Sequence, residues 1–485
     1  MPLTIEQLIA QVKKNDPAAD VDMLKLAYEF AADAHDGQKR KNGEPYIQHC
    51  LATALTLTKI RADIDVVIAG LLHDVPEDTN RTLDDIEKNF GKKVSFLVEG
   101  ITKISTIKYR GVERYAENLK KMFIAMAADI RVVIIKFADR LNNLETLDAL
   151  PEKKRLRIAN ETMEIYVPIA ALLGMWYFKH QMEDICFQNL YPEEYKKLQY
   201  KYDIEQKIEN QQFIQKTKNI LAPKLKDENM RINIEGRFKS LYSIFQKMQK
   251  KERKFSEIYD VFALRVSTES IADCYRVIGI IHALWKPKSQ RFKDYIAVPK
   301  SNGYRALHTT VFGPGGKITE FQVLTEKMYE ESIYGVAAHW YYKNKKTSPE
   351  KQPRWITDVL EIMHKTPSDQ EFVSGVKLGV FQNRIFVFTP KGDVIDLPEG
   401  ATPVDFAYAV HTEVGNHCVG ALINDRMATL ETKLKSGDLA EIITDKRRIN
   451  PGRDWLKIAM TQRARDKIKN ALKTSGRFTK FIPWR

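Results

Sequence analysis

The chain lacks long apolar runs: no stretch of its 485 residues approaches the roughly 18 that a membrane-spanning helix needs. Its start, "MPLTIEQLIAQVKKND", mixes acidic and basic residues and has no apolar leader, so a cytoplasmic protein with no membrane attachment is expected. Cysteine is scarce too. Cys50, Cys186, Cys274 and Cys418 are far apart with no C-x-x-C pair, which argues against a disulfide scaffold and a cysteine zinc site. Acidic charge is the minority: 77 Lys and Arg against 63 Asp and Glu leave a surplus of 14, which favours a polyanionic partner such as nucleotide, RNA or ribosome. A generally lysine-rich composition explains the same number.

The length exceeds what one core supports, so about three domains are expected. From Val21 to about Leu190 apolar residues recur at three and four, as in Leu24, Ala27, Tyr28 and Ala31, and again in Ile130, Val133, Ile134, Phe137, Leu141 and Leu144. This third is helical, with Gly and Pro confined to "GQKRKNGEP", "DVPED" and "YRG" as loops. A polar helical connector follows. From Arg231 the runs "YDVFALRVS", "KDYIAVP", "ALHTTVFGPGG" and "KITEFQVLT" read as strands, with helices at "SLYSIFQKMQKK" and "IADCYRVIGIIHALW" between them. The charged "KNKKTSPEKQPR" reads as linker. Beyond it a strand, turn, strand, helix and closing strand "LAEIITD" fit a small β-rich domain.

In "LLHDVPEDT", residues 71 to 79, one histidine sits among three acids. Read alone, a His-Asp pair of this kind is far more often an exposed helix end with solvated charges than a metal site. Adjacent helical positions diverge by about 100°, yet His73 and Asp74 can flank one ion if His49, in "YIQHCLATAL", and Asp139, in "IRVVIIKFADRLNNL", close the shell. The segment around Asp139 is apolar on several faces, so its carboxylate needs a cation; a structural pair with Arg140 and a metal ion both remain open. Pro76 is expected to break the helix after the doublet, placing Glu77 and Asp78 on a following turn where a carboxylate can take a proton from a bound water.

Farther on, "GRFKSLYSIFQKMQKK" puts Arg237, Lys239 and Lys247 on a basic segment, and "RFKDYIAVPKSNGYRALH" adds Arg291, Lys293, Lys300 and Tyr304 around a turn. Such stretches suit triphosphate and base stacking, though each alone is more often plain surface. In "KITEFQVLT" a strand period sets Glu320, Gln322 and Leu324 on one face, and Asp260 opens another strand; two convergent carboxylates can hold magnesium against a nucleoside triphosphate.

The motifs "AHDGQKRKNGEPYIQH", "GLLHDVPEDT", "TKIS", "AENLKKMFIAMAADIRVVIIKFADRLNNLETL" and "RIANETMEIYVPIAALLG", in that order, resemble the hydrolase domain of the long RelA/SpoT enzymes, which make and destroy guanosine tetraphosphate. The block from Arg231 is similar to their synthetase domain, and "FTPKGDVIDLPEGATPVDFAYAVHTEVG" to their TGS domain. The resemblance implies an all-α HD-type hydrolase domain at 1–195, a helical connector at 196–230 and an α+β nucleotidyltransferase-like synthetase domain at 231–342. A linker at 343–382, a β-grasp TGS domain at 383–446 and the start of a helical segment at 447–485 complete it. The cysteine-rich and ACT modules of full-length members do not follow in this sequence, which leaves a truncated and a naturally short form both open.

It further implies that His49, His73, Asp74 and Asp139 hold manganese, that Glu77 and Asp78 activate water, that Arg40 and Lys41 meet the nucleotide, and that Asn143 and Thr146 line its pocket. In the synthetase it implies Asp260 and Glu320 as magnesium and base residues, Tyr304 as the guanine-stacking ring and Arg237 and Lys239 as ATP contacts; the "RFKD" loop goes with GDP preference. In the TGS domain His411 matches the histidine that meets a tRNA 3′ end, and a histidine capping a helix accounts for it equally. The implied activities are hydrolysis of the 3′-pyrophosphate of (p)ppGpp and pyrophosphoryl transfer from ATP to the 3′-hydroxyl of GDP or GTP. A hydrolase with a purely regulatory middle domain and a non-catalytic RNA or ribosome adaptor are the alternatives. The chain departs from the pattern at Asn42, Pro76, Asn142 and Glu145, and in the synthetase at Ser240, Arg305, Leu324 and Ile333. Leu324 replaces an arginine on the face of Glu320, and Arg305 is the nearby cation expected to compensate.

Overall fold

A computed structural model of the chain describes residues 2–105, 111–202, 207–228, 230–251, 262–289, 291–300, 302–335, 384–435, 437–448 and 450–474. The chain divides into two compact units, 1–352 and 353–485. Asp260 and the linker expected at 343–382 lie outside the described residues.

The first half of the first unit is helical, as the periodicity predicts. Its helices include α1 (Ile5–Asn15), α2 (Val21–Ala34), α3 (Ile47–Lys59), α4 (Ile64–Leu72), α5 (Val75–Asp78), α6 (Leu83–Ser105), α7 (Gly111–Ala128), α8 (Ile130–Glu145), α9 (Glu152–Glu161), α10 (Val167–Leu172) and α11 (Trp176–Leu190). Side-chain oxygens start several of them: Asp63 accepts from the Val66 N–H at the head of α4, and Asp129 from the Arg131 N–H at the head of α8. The apolar residues of α8 leave no solvent face over most of its length, and it packs against α3, α4, α6, α7 and α11. It is the central post on which the neighbouring helices hang their polar side chains.

The connector forms α12 (Pro192–Tyr200) and α13 (Lys207–Asp227). A five-stranded sheet follows, with order β1-β2-β5-β4-β3: β1 (Ile232–Phe238), β2 (Phe262–Thr268), β3 (Lys293–Asp294), β4 (Leu307–Phe312) and β5 (Ile318–Thr325). Among the described residues of this sheet, only the β2–β5 pairing is parallel. The helices of this half are α14 (Leu241–Lys251), α15 (Ile271–Leu284) and α16 (Glu326–Tyr334). Alternation decides what each face carries. Leu264, Val266, Phe321 and Val323 meet Val277, Ile278 and Ile281 of α15 and Leu221 and Leu225 of α13 in one core. Arg265, Glu320 and Gln322 occupy the opposite face. Of the expected strand "KDYIAVP" only Lys293–Asp294 pairs, because the Asp294 carboxylate accepts the N–H groups of Ile296 and Ala297 and turns the chain away.

The helical half and the sheet half share α11. Phe187 on α11 stacks on Phe245 of α14 at 4.7 Å, and Asp184 accepts the Tyr242 N–H at 3.2 Å. Arg61 pairs with Glu330 of α16 at 2.7 Å. Gly335 ends α16 with φ of 57°, and a Cβ there would run into the Leu173 carbonyl oxygen, so only glycine permits this close approach.

The second unit holds hairpin β6 (Arg384–Phe388) and β7 (Val394–Pro398), and a sheet of order β10-β8-β9 made by β8 (Cys418–Ile423), β9 (Arg426–Ala428) and β10 (Ala440–Thr444). A parallel bridge, Phe388 to Leu439, joins the two. Helix Pro403–Val410 is buried between two cores: Phe406 faces Ile385, Val387 and Leu397, while Val404, Ala407 and Tyr408 face Trp455, Ala464 and Ile468. Strands β8 and β9 escape the sequence reading. The helices Trp455–Ile458 and Gln462–Thr474 belong to the same core, held also by Asp405, whose carboxylate accepts the Met460 and Thr461 N–H groups at 3.0 and 2.7 Å.

Candidate metal centre and nucleotide clefts

Helix α4 ends at Leu72, so His73 and Asp74 form the joint between α4 and α5. This corrects the expected role of Pro76: the break precedes the doublet, and Pro76 occupies the first turn of α5, where its missing N–H leaves no helical bond unmade. Glu77 and Asp78 complete that turn and are exposed.

His49 from α3 and Asp139 from α8 close on the joint. His49 Nε2 lies 3.3 Å from both Asp74 Oδ2 and Asp139 Oδ1; His73 Nε2 lies 3.1 and 3.7 Å from the same two oxygens. Ligand atoms of His49, His73 and Asp74 all fall within 4.8 Å of one another. His73 is fully buried, and its Nδ1 is 2.9 Å from the Gly70 carbonyl, a pure acceptor, so Nδ1 carries the proton. Its Nε2 makes no well-aligned hydrogen bond although two carboxylate oxygens are near. A buried nitrogen lone pair facing carboxylates calls for a cation between them, and the mixed nitrogen and oxygen donor set fits a divalent metal.

Charge supports this. Burial alone would push the His73 imidazolium down, but Asp74 and Asp139 outweigh it and hold it up at about 10; His49 is raised by the same carboxylates against the same burial. Burial would raise both carboxyls, and instead they lie well below the ordinary range, Asp74 through His73 and His49, Asp139 chiefly through Lys136.

The cation for Asp139 is not Arg140. Lys136 Nζ lies 2.9 Å from Asp139 Oδ2, whereas Arg140 turns to Glu161 at 3.0 Å and the Tyr166 hydroxyl at 2.8 Å. Lys136 stands three residues before Asp139 on α8, on the same face, and Arg140 about 100° away.

Beside these ligands opens a cleft of about 450 Å³, lined by Lys39, Arg40, Lys41, Asn143, Lys154 and Arg157 among others. Arg40 donates to Asn142 Oδ1 at 3.3 Å and Asn143 Oδ1 at 2.5 Å, and Asn143 donates to Asp139 Oδ1 at 2.5 Å. Thr146, at the end of α8, also lines the cleft. Burial, then repulsion from Lys41 and Arg157, depresses the Lys154 ammonium. Crowded cations of this kind favour a polyanionic ligand. Sequence reasoning missed Tyr46, Lys136, Lys154 and Arg157. Tyr46, three residues before His49, has its hydroxyl 2.9 Å from Asp74 Oδ2 and 2.7 Å from Asp78 Oδ2.

On the polar face of the sheet, β1, β2 and β5 bring Arg237, Ala263 and Glu320 into one row of the ladder. Glu320 is 3.5 Å from Lys239 Nζ and 3.4 Å from His308 Nδ1 on β4. Burial opposes its ionisation, yet His308 and Lys239 hold its carboxyl far below the usual range. Arg237 donates to Gln322 Oε1 at 3.3 Å. The Tyr304 phenol is pushed up to about 12 by burial; its ring lies 5.0 Å from Lys300 Nζ, and its hydroxyl 2.8 Å from His308 Nε2. Lys247 lies half-buried two turns into α14, and Arg291 and Lys293 are exposed before and on β3.

Leu324 shares the face with Glu320 but packs with Ala306 and Met328. Arg305 does not stand in for the missing arginine: its guanidinium pairs with Glu331 at 2.8 Å. Arg265 of β2 is in register with Gln322 and lies 4.1 Å over the Tyr329 ring.

Three family models match: an HD domain over residues 27–176, a region found in RelA / SpoT proteins over 236–347, and a TGS domain over 385–444. A guanosine-3′,5′-bis(diphosphate) 3′-pyrophosphohydrolase of Vibrio cholerae is 43% identical over 476 residues, covering 97% of this chain and 67% of that protein. The chain belongs to the RelA/SpoT family. Other family members include a GTP pyrophosphokinase of Myxococcus xanthus, 41% identical over 96% of this chain, and the bifunctional (p)ppGpp synthase/hydrolase SpoT of Escherichia coli, 44% identical over 95%. The chain spans 62% and 66% of the lengths of these two relatives. In the TGS region of this RelA/SpoT protein, His411 is exposed and caps the short helix Thr412–Asn416, its Nδ1 accepting the Glu413 N–H at 3.3 Å. Among the described residues no helix is long and apolar enough to cross a membrane.

Proposed function

We propose that the helical half removes the 3′-pyrophosphate of (p)ppGpp with manganese, and that the sheet half, with magnesium, transfers pyrophosphate from ATP to the 3′-hydroxyl of GDP or GTP. The observation that carries the first activity is the convergence of His49, His73, Asp74 and Asp139 beside a cationic cleft of about 450 Å³. The names of relatives that align over nearly the whole chain support both activities.

In the hydrolase, the four side chains would hold the ion, which when bound supplies an acidified water and a Lewis acid for a phosphate oxygen. Arg40 and Lys41 meet the nucleotide, with Asn143 and Thr146 lining its pocket; Lys154 and Arg157 neutralise phosphates. Asp78, oriented by Tyr46, and Glu77 take the proton of the attacking water. The water oxygen bonds to phosphorus as the phosphorus–oxygen bond to the 3′-oxygen breaks, and the 3′-oxygen takes up a proton from one of those carboxyls or from solvent, giving GDP or GTP and pyrophosphate.

In the synthetase, Glu320 with Asp260 would hold magnesium and take the proton from the 3′-hydroxyl, whose oxygen bonds to the β-phosphorus of ATP as the bond to the α-phosphate breaks and AMP leaves. Tyr304 stacks the guanine, and Arg237, Lys239, Lys247, Arg291, Lys293 and Lys300 bind phosphates. A second reading, a hydrolase whose middle domain only senses nucleotide, draws support from the apolar packing of Leu324 and the Arg305–Glu331 pair. His411 is assigned to a tRNA 3′ end or ribosomal RNA. Purified protein incubated with guanosine tetraphosphate and manganese, and separately with ATP, GDP and magnesium, tests these readings. Both reactions are expected; hydrolysis alone selects the sensor, and neither reaction overturns the proposal.

A further inference from the structure

The structure assigns to Asn142 the task of fixing His49 in its metal-binding tautomer, with Arg40 holding the carboxamide in place. This inference rests on the proposed metal-dependent hydrolase and names a positioning residue within it. The position is one where the chain departs from the usual family residue.

The neighbours of the Asn142 amide fix which end points where. Arg40 Nη1, which can only donate, lies 3.3 Å from Oδ1, and Glu145 Oε2, a carboxylate oxygen, lies 3.4 Å from Nδ2. Both neighbours select the same orientation, so the atom 2.6 Å from His49 Nδ1 is the amide oxygen. It is an acceptor only, so His49 Nδ1 must carry a proton. A neutral His49 then has its lone pair on Nε2, the atom 3.3 Å from both Asp74 Oδ2 and Asp139 Oδ1.

His73 reaches the same tautomer through the Gly70 carbonyl. That acceptor is backbone at the end of α4, and no side-chain substitution removes it directly. For His49 the acceptor is a side chain, and Asn142 is itself buried, 8% exposed. Removing the carboxamide leaves the His49 ring free to exchange tautomers and to rotate. A ring in the wrong tautomer presents N–H to the ion. Outer-shell partners that orient a ligating histidine typically set metal affinity by roughly 10–100-fold.

The test measures ion uptake, independent of turnover. Mn²⁺ alone is titrated calorimetrically into the full chain after chelator treatment, for wild type, Asn142→Leu and Asn142→Asp. Asn142→Leu is expected to weaken Mn²⁺ binding roughly 10–100-fold. Asn142→Asp keeps an acceptor oxygen and is expected to retain wild-type affinity or exceed it. Saturating Mn²⁺ is then expected to restore much of the hydrolysis rate of Asn142→Leu, and transfer from ATP to GDP serves as the check that the chain is folded. Equal affinity in wild type and Asn142→Leu overturns this inference alone, as does equal weakening in both variants. A wild-type chain that takes up no Mn²⁺ overturns the metal-dependent hydrolase as well.

Discussion

Replacing Lys136 with methionine removes the ammonium 2.9 Å from Asp139 Oδ2 at a place where both side chains are buried. Opposite unit charges at that separation attract by about 6 kcal/mol at an effective dielectric constant of ~20. Breaking a buried pair from one side costs about 3–5 kcal/mol, because the remaining charge stays buried. Asp139 keeps His49 and His73 near its other oxygen, so the metal-free variant is expected to lose about 3 kcal/mol, at the low end of that range. An ion bound at Oδ1 compensates the carboxylate, so the loaded variant is expected to lose about 1 kcal/mol. The difference of ~2 kcal/mol corresponds to roughly 30-fold tighter ion binding. The assay is calorimetric titration of Mn²⁺ into wild type and Lys136→Met, paired with denaturant unfolding in chelator and in excess ion. A folded variant that binds the ion more weakly would refute the view of Lys136 as the charge that stands in for the metal.

Asp74→Ala is expected to abolish hydrolysis of guanosine tetraphosphate and spare transfer from ATP to GDP, and Glu320→Gln the reverse; joint loss in one folded variant contradicts two separate sites. Tyr46→Phe removes a charge-assisted hydrogen bond worth about 1.5 kcal/mol and is expected to lower kcat for hydrolysis about tenfold with KM little changed; a change confined to KM would place Tyr46 in nucleotide binding instead. Burial pushes the Asp184 carboxyl from 3.8 up to about 6. The native state therefore holds more protons than the unfolded chain in that window, and stability falls as pH rises through it. Asp184→Asn is expected to be more stable than wild type at pH 7.5, by roughly 2 kcal/mol, with most of the gain gone near pH 4. Urea unfolding at the two pH values checks it, and a gain independent of pH would contradict the assignment.

The helical third, the connector, the αβ block and the small β-rich domain are legible because a period of three to four and a period of two need no long-range information. The same holds for Glu320 and Gln322 on one face of β5, since side chains alternate along any strand. Elements were missed where tertiary pairing creates or withholds a strand: β8 and β9 form in a stretch with weak alternation, and "KDYIAVP" pairs over two residues only.

At the sites, sequence by itself determined the donor types and their order: a His-Asp doublet, one more histidine before it, and an aspartate on an apolar segment. It did not determine which neighbours balance them, because a cation one residue away on a helix points elsewhere and one three residues away does not. Hence Lys136 and not Arg140 meets Asp139, and Lys239 and His308, not Arg305, lie beside Glu320. The tautomer of His49 depends on Asn142, 93 residues later in the chain. Only the packing of α3 against α8 brings the two within hydrogen-bonding reach, since backbone periodicity acts over a few residues, whereas a ligand sphere is closed by whichever helices share a core.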